Sequence, residues 1–167
     1  MKKSVFGLLI LACAKQPVHP PVGGVLSDKD LSVSRNRAKN LNETERAQIL
    51  DWISKQQTPY YPMGLNYWTD MKDLKRRERL SDGSPVSYSY ELFDFDMTKL
   101  SDTPVVRTGA ILGKFEDLKA VDDALRYLKP GESTVLLVPS VLAYGTYGDN
   151  HKISNDMPLI IQLKMLQ

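Results

Sequence analysis

VLLVPSVLAYGTYGDNHKISNDMPLIIQLKMLQ, residues 135–167, predicts two strands that flank a long loop. The apolar run 135–138 ends at Pro139, and Pro158 opens a second run, 159–166, in which the odd-numbered residues are all apolar. The loop between the two runs is rich in Tyr, Gly, Asn and Asp. Loops longer than about 12 residues in compact domains are usually functional or disordered. Because this loop leads directly into a strand, we expect it to carry function.

Two more strands and a helix precede this stretch. Residues 86–92 alternate apolar or aromatic side chains with polar ones, which is the period of a half-buried strand, and residues 105–112 predict a second strand. Apolar residues then recur at helical spacing over residues 115–128, and Pro130-Gly131 ends that helix. The order of strand, strand, helix, strand, loop and strand predicts an α+β fold, an antiparallel sheet wrapped around one helix.

The N-terminus has the organisation of an exported lipoprotein. Lys2 and Lys3 make residues 1–3 a basic segment, and residues 5–12 are apolar, a run much shorter than the ~20 residues that span a bilayer. We therefore interpret residues 1–12 as a lipoprotein signal peptide that is cleaved before Cys13, which would carry lipid. The alternative is an ordinary signal peptide followed by an incidental cysteine. Cys13 is the only cysteine of the chain, so no disulfide can support the fold.

Between this cysteine and the sheet, the sequence predicts a tether and an N-terminal helical extension. Residues 13–41 begin with several Pro and Gly residues and little apolar content, which favours a flexible tether. Residues 42–80 form the extension, which we expect to pack on the domain. Asn42 and Glu45 have the spacing of a capping box, and this predicts a helix over residues 43–56.

An aromatic segment, residues 58–68, follows that predicted helix and leaves two interpretations open. Its four large aromatic side chains could pack the helix onto the neighbouring sheet, or they could form a surface for partners; they are Tyr60, Tyr61, Tyr67 and Trp68. Packing is the commoner role of such residues.

Charge and residue types exclude several classes of function. The formal net charge is +2, from 22 basic and 20 acidic residues, so we expect no nucleic-acid partner, and the basic run 72–79 is interpreted as a solvated face. His19 falls in the tether and His151 in the loop. No catalytic triad, metal-ligand cluster or Gly-rich phosphate loop is present in the sequence, so no metal and no cofactor are expected.

The segment VPSVLAYGTYGDNHKI, followed by PLIIQLKML, resembles the C-terminal signature of the FKBP-type peptidyl-prolyl cis-trans isomerases. The form AYGTYGDNHKI is most similar to the gliding-motility-associated isomerase lipoproteins of the Bacteroidetes, the GldI group. The resemblance implies an FKBP-like fold for residues 81–167 and isomerase activity on proline-containing polypeptide clients. Such activity needs no nucleophile or proton relay, because the barrier of ~18–20 kcal/mol comes from amide resonance.

The resemblance also implies roles for three residues that contact a bound peptide. Tyr144 corresponds to the tyrosine whose hydroxyl binds the peptide carbonyl, and Tyr88 to a pocket tyrosine on the first strand. Leu118 corresponds to the position at the start of the helix whose backbone N–H receives a ligand carbonyl.

Three further residues correspond to apolar walls of the family's pocket. Ile153 matches a wall contributed by the loop, Val121 the floor position where many members have tryptophan, and Ile161 a position on the last strand where they have phenylalanine. Since two aromatic rings are replaced, we expect a wider pocket and weak activity.

These features predict a lipid-anchored isomerase that assists the folding of exported envelope proteins, including those of a gliding machinery. Uncatalysed isomerisation takes ~10–100 s, slow enough to limit folding outside the cytoplasm. The membrane contact would be made through lipidated Cys13, and the expected location is the outer membrane, facing the periplasm. The alternative is a non-catalytic chaperone or assembly module of a motility or secretion apparatus.

Overall fold

The computed structural model describes residues 27–114 and 117–167. The chain divides between Arg35 and Asn36, inside the first helix, and residues 36–167 form one compact unit. The predicted signal peptide and Cys13 lie outside the described residues, as does Phe115 of the predicted second helix. Within the described ranges, no helix combines the length and the apolar character that crossing a bilayer requires.

Two helices and six strands make up the described chain. The helices are α1, Asp28–Ser54, and α2, Lys119–Leu125. The strands are β1, Tyr61–Pro62; β2, Trp68–Thr69; β3, Pro85–Phe93; β4, Val105–Ile111; β5, Ser133–Val138; and β6, Leu159–Met165. Single 3-10 turns occupy Leu74–Arg76 and Ser140–Leu142.

All six strands belong to one antiparallel sheet with the order β1-β2-β5-β6-β3-β4. The predicted α+β fold is therefore confirmed, and the four predicted strands are present. The short strands β1 and β2 were not predicted, because two-residue strands are too short to show a period. They extend the sheet beside β5, where Trp68 pairs with Leu137.

One face of the sheet packs against α2. Val86, Tyr88, Tyr90 and Leu92 of β3 are buried there, as the alternation predicted. The prediction of a helix over residues 115–128 is wrong in length, because Leu118 has an extended backbone (φ −64°, ψ 136°) and caps a seven-residue helix. Leu118 and Leu128 are buried without being helical, so their apolar spacing reflected burial rather than helix.

The first helix starts well before the predicted position. Ser27 and Asp30 form the reciprocal cap at its N-terminus, since the Asp30 N–H donates to Ser27 Oγ (3.2 Å) and the Ser27 N–H donates to Asp30 Oδ2 (3.2 Å). No Gly or Pro interrupts the chain from there to Ser54. The flexible tether predicted for residues 13–41 is therefore wrong for residues 28–41, which are helical.

The opposite face of the sheet is covered at one end by the second half of α1. Ile49 packs there in an apolar cluster with Trp68, Leu137 and Ile160. Trp52 of the same helix makes edge contacts with the rings of Tyr60 and Phe95, with centroids 5.8 and 5.5 Å apart. The central strands β5 and β6 are consequently buried on both faces at the end from which the long loop departs.

The aromatic segment 58–68 thus has the packing role, at least for its last two residues. Tyr67 is fully buried on the α2 face and its hydroxyl donates to Asp123 Oδ2 (3.0 Å). Trp68 is buried on the opposite face, and Arg46 of α1 lies over its ring at 5.2 Å. Adjacent residues therefore serve the two faces of the sheet.

Candidate functional site

The six residues assigned to the site by sequence are brought together on the α2 face. Five are buried members of one apolar cluster, and the sixth, Tyr144, is half-buried and packs against it; the five are Tyr88, Leu118, Val121, Ile153 and Ile161. They come from β3, α2, the long loop and β6. The sheet register and the loop therefore build one location from distant parts of the chain.

A carboxylate that the sequence analysis missed, Asp117, lies at the polar side of this cluster. The Tyr88 hydroxyl donates to Asp117 Oδ2 (3.2 Å) and the Tyr90 hydroxyl to Asp117 Oδ1 (2.5 Å). The two rings lie nearly parallel, with centroids 6.3 Å apart. The Tyr90 hydroxyl therefore belongs to the site as well. The sequence signal that could have identified Asp117 is its position immediately before Leu118, a residue that the resemblance assigned to the site.

Asp117 also accepts a hydrogen bond from the backbone N–H of Leu118, which the resemblance assigned to the binding of a ligand carbonyl. The Leu118 N–H donates to Asp117 Oδ1 at 3.1 Å, so in this structure it is not free to receive a peptide carbonyl. Arg107, which pairs with Tyr88 across β3 and β4, places Nε 3.5 Å from Asp117 Oδ2. Two hydroxyls, one amide and one guanidinium therefore surround a single carboxylate.

Burial and nearby carboxylates keep the site tyrosines protonated. Burial raises the pKa of Tyr88 and of Tyr90 well above 10, and the negative charge and hydrogen bonds of Asp117 raise both further. Burial also raises the pKa of Tyr144, and the charges of Asp117 and Asp149 add to this effect. All three hydroxyls are therefore neutral hydrogen-bond donors at physiological pH.

Of the three, Tyr144 has the hydroxyl that is not committed to Asp117. The loop that carries it, residues 139–158, begins with a 3-10 turn in which Ser140 C=O accepts from the N–H groups of Ala143 (2.9 Å) and Gly145 (2.8 Å). Gly145 C=O in turn accepts from Asp156 N–H (3.0 Å) near the end of the loop. In residues 27–114 and 117–167 the Tyr144 hydroxyl takes part in no hydrogen bond.

The tip of the loop is held by a turn around Asp149. Asp149 Oδ1 accepts from the N–H groups of His151 and Ile153, both at 2.8 Å. Gly148 has φ +63°, and a Cβ there would clash with Ile153 C=O, so only glycine fits. These constraints fix Ile153 against the apolar cluster.

The floor of the site is closed. Val121 and Ile161 both have 0% exposure, and the cavity that touches Tyr88 and Asp117 measures about 10 Å³, no more than a water molecule needs. Since neither Val121 nor Ile161 is accessible to solvent, no open pocket extends to them, in contrast to the wider pocket expected from the sequence. A peptide ring can reach Val121 only if the loop or neighbouring side chains move.

Larger cavities lie away from this cluster. One of about 410 Å³ covers polar residues on the opposite face of the sheet, including Ser89, Glu91 and Gln162. Another, of about 370 Å³, lies beside α1 between Trp52 and Met157. Neither contains any of the six residues assigned by sequence.

The chemistry available at the site is hydrogen-bond donation beside an apolar surface. The Tyr144 hydroxyl is the donor that Asp117 leaves available, whereas the hydroxyls of Tyr88 and Tyr90 donate to that carboxylate. Such a surface can stabilise a transition state in which the charge distribution changes but no covalent bond is broken. Preorganised donors in an apolar setting need little reorganisation to do so.

Comparisons with known proteins agree with this architecture. The family model for FKBP-type peptidyl-prolyl cis-trans isomerases matches residues 76–166, and no curated protein sequence matches the chain. The fold is similar to the crystal structure of FkpA from Escherichia coli, with a TM-score of 0.56 and 16% identity over 85% of this chain and 73% of that one. It is also similar to a peptidyl-prolyl cis-trans isomerase from Pseudomonas syringae pv. tomato, with a TM-score of 0.53 and 16% identity over 77% of this chain and 93% of that one.

Proposed function

Because the chain belongs to the FKBP-type peptidyl-prolyl cis-trans isomerase family, we propose that Tyr144 is the hydrogen-bond donor with which it accelerates rotation about X-Pro bonds of polypeptide clients. The observation that carries this assignment is the difference among the tyrosines. Tyr88 and Tyr90 donate to Asp117, whereas Tyr144 is half-buried on the loop with its hydroxyl uncommitted to that carboxylate.

The physical basis is complementarity to the twisted amide. In the transition state the X-Pro bond loses its resonance, whose loss accounts for the ~18–20 kcal/mol barrier. Apolar walls that exclude water favour the less polar twisted form, and a neutral donor orients its carbonyl. Ile153 supplies such a wall next to Tyr144, and the raised pKa of Tyr144 keeps the hydroxyl protonated.

Tyr144→Phe tests this role, and Tyr147→Phe is the matched control. Tyr147 lies three residues further along the same loop and is 81% exposed, so it should not contact a bound proline. We expect Tyr144→Phe to lower kcat/KM roughly 2- to 10-fold, as loss of a hydrogen bond worth ~0.5–1.5 kcal/mol implies. The control should keep wild-type activity. Isomerisation is measured on a Pro-containing peptide without a coupled protease.

Two results would contradict the assignment. Equal activity of Tyr144→Phe and wild type would show that the hydroxyl serves no bound substrate. A large fall in melting temperature with unchanged kcat/KM would make Tyr144 a structural residue.

A second candidate function, a non-catalytic chaperone or assembly module with the isomerase fold, is favoured by the closed floor. Val121 has no accessible surface, and the Leu118 N–H is occupied by Asp117. Such a module would suppress aggregation of an unfolded client without changing the rate of a Pro-limited refolding reaction. An isomerase would accelerate that refolding, so the two assays on one client separate the candidates.

The sequence supports a more specific setting, in which the protein is a lipid-anchored isomerase of the cell envelope. The basic and apolar residues 1–12 followed by Cys13 support export and lipid attachment, and the likeness of AYGTYGDNHKI to the GldI group supports clients in a gliding machinery. We place the protein at the outer membrane, facing the periplasm. More than one acyl chain on Cys13 would anchor it stably, at ~0.8 kcal/mol per buried CH₂.

Cys13→Ala tests the anchor. We expect the variant to leave the membrane fraction with its melting temperature unchanged, since Cys13 precedes the family domain. Metabolic labelling with a fatty acid is the direct measurement. Absence of label on the wild type, or retention of Cys13→Ala in the membrane fraction, would refute lipid anchoring.

A further inference from the structure

A buried carboxyl group on α1, Glu45, contacts the start of the loop that carries Tyr144. Glu45 is 1% exposed, and both of its oxygens bind the same residue. Ser140 N–H donates to Oε2 (2.7 Å) and the Ser140 hydroxyl donates to Oε1 (2.6 Å). Among the described residues no Lys, Arg or His lies within ion-pair distance of this carboxyl. A buried carboxyl group is costly, and here two hydrogen bonds to one residue compensate it.

Ser140 is the residue that organises the backbone around Tyr144. Its C=O accepts from the N–H groups of Ala143 and Gly145, the two neighbours of Tyr144 in the chain. A continuous set of hydrogen bonds therefore runs from Glu45 through Ser140 to both sides of the proposed donor. A shift of Ser140 would be transmitted to the Tyr144 hydroxyl.

The same helix contacts the far end of the loop through Arg37. Arg37 Nη2 lies 3.2 Å from Asp156 Oδ2, and Asp156 N–H donates to Gly145 C=O. Arg37 is 71% exposed, so we expect this ion pair to contribute little alone. It shows, however, that α1 follows the loop from Ser140 to Asp156.

We propose that Glu45 is a positioning residue for isomerisation, through which α1 holds the Tyr144 loop in its productive geometry. This inference rests on the proposed role of Tyr144. The helix does not need Glu45 for its packing, because Ile49, one turn further on, fills the contact with Trp68 and Ile160. The extension thus acts on the site although it contributes none of the groups that touch substrate.

The decisive comparison is Glu45→Ala against Glu45→Gln. We expect Glu45→Ala to lower kcat/KM roughly tenfold, since small displacements of a catalytic group are costly. Amide hydrogen exchange at Ala143 and Gly145 should accelerate in the same variant. Glu45→Gln should keep kcat/KM and amide exchange close to wild type. Its amide oxygen can accept from Ser140 N–H, and the Ser140 hydroxyl can rotate to accept from the amide NH₂.

Ile49→Ala is the matched control, because it removes packing from α1 without touching Ser140. It should lower the melting temperature while leaving kcat/KM and local exchange at Ala143 and Gly145 unchanged. If Glu45→Ala does not fold, Ser140→Ala takes its place. That variant loses only the hydroxyl contact and should show the same changes in the same direction, with smaller size.

The proposal is overturned if Glu45→Ala behaves like Ile49→Ala, with lower stability but wild-type exchange and kcat/KM. It is also overturned if Glu45→Gln is as defective as Glu45→Ala. Should the wild type show no isomerase activity, the proposed function fails, but exchange at Ala143 and Gly145 still decides whether Glu45 holds the loop.

Discussion

The two faces of the sheet differ both in how far they are buried and in what they contribute. The α2 face combines apolar residues with three buried tyrosines, Tyr67, Tyr88 and Tyr90, whose hydroxyls donate to Asp123 or Asp117. The α1 face is a small apolar cluster around Ile49 that covers only one end of the sheet. The first face holds the candidate site, and the second supports the loop that completes it.

Neighbouring residues on β6 express this division directly. Ile160 and Ile161 both have 0% exposure, yet Ile160 packs with α1 and Ile161 with the α2 cluster. Their cross-strand partners, Leu137 and Leu136, divide in the same way. Equal burial therefore does not mean equal function, and substitutions on the two faces should separate stability from activity.

The largest effects are expected from Ile161→Ala and Ile160→Ala. Each deletes a fully buried side chain and should lower the free energy of unfolding by ~2–5 kcal/mol, measured by urea denaturation. Only Ile161→Ala should also change the isomerisation rate when both variants are compared at equal folded fraction. If Ile160→Ala had the same free energy of unfolding as the wild type, α1 would not bury this face in solution.

Val121→Trp tests whether the floor of the α2 face is filled. The added ring has no cavity to enter, so overpacking should cost ~1–3 kcal/mol in stability. Val106→Trp on the edge strand β4 is the control, because Val106 is 55% exposed and its substitution should change stability by less than about 0.5 kcal/mol. A stable Val121→Trp variant that binds a proline-containing peptide more tightly would show instead that Val121 faces an open pocket.

The smallest effect concerns alkaline pH. The pKa of Tyr90 is raised in the folded state, so the stability it contributes is complete below about pH 10, where the tyrosine is protonated in both states. Above that pH the unfolded chain releases its proton first, and stability falls as pH rises. Tyr90→Phe should cost ~0.5–1.5 kcal/mol at neutral pH and make this alkaline loss less steep.

Tyr60→Phe provides the comparison on the α1 face. Burial also raises the pKa of Tyr60, but its ring is only half-buried at the rim of that face. We expect a smaller change in the alkaline limb of a stability-against-pH curve. Equal changes for the two variants would remove the electrostatic distinction between the faces.

The sequence was most informative where the signal is local. The alternation in β3, the apolar runs of β5 and β6 and the Tyr, Gly, Asn and Asp content between those runs predicted three of the strands and the loop, because strand periodicity and turn composition depend on neighbours in the chain. The same logic failed for α1. Asn42 and Glu45 have the spacing of a cap, but an earlier cap at Ser27 already starts the helix.

Long-range partners could not be predicted in this way. Glu45 binds Ser140 across 95 residues, and Tyr90 meets Asp117 across 27. The sequence by itself determined the α+β fold, since apolar periodicity selects which side chains turn inward, and its resemblance to the family indicated the residues that surround the site. Only the tertiary structure decided which polar groups meet at the site. The hydrogen-bond donors of a buried carboxyl group come from elements that are far apart in the chain, and no local sequence pattern specifies which of these elements pack together.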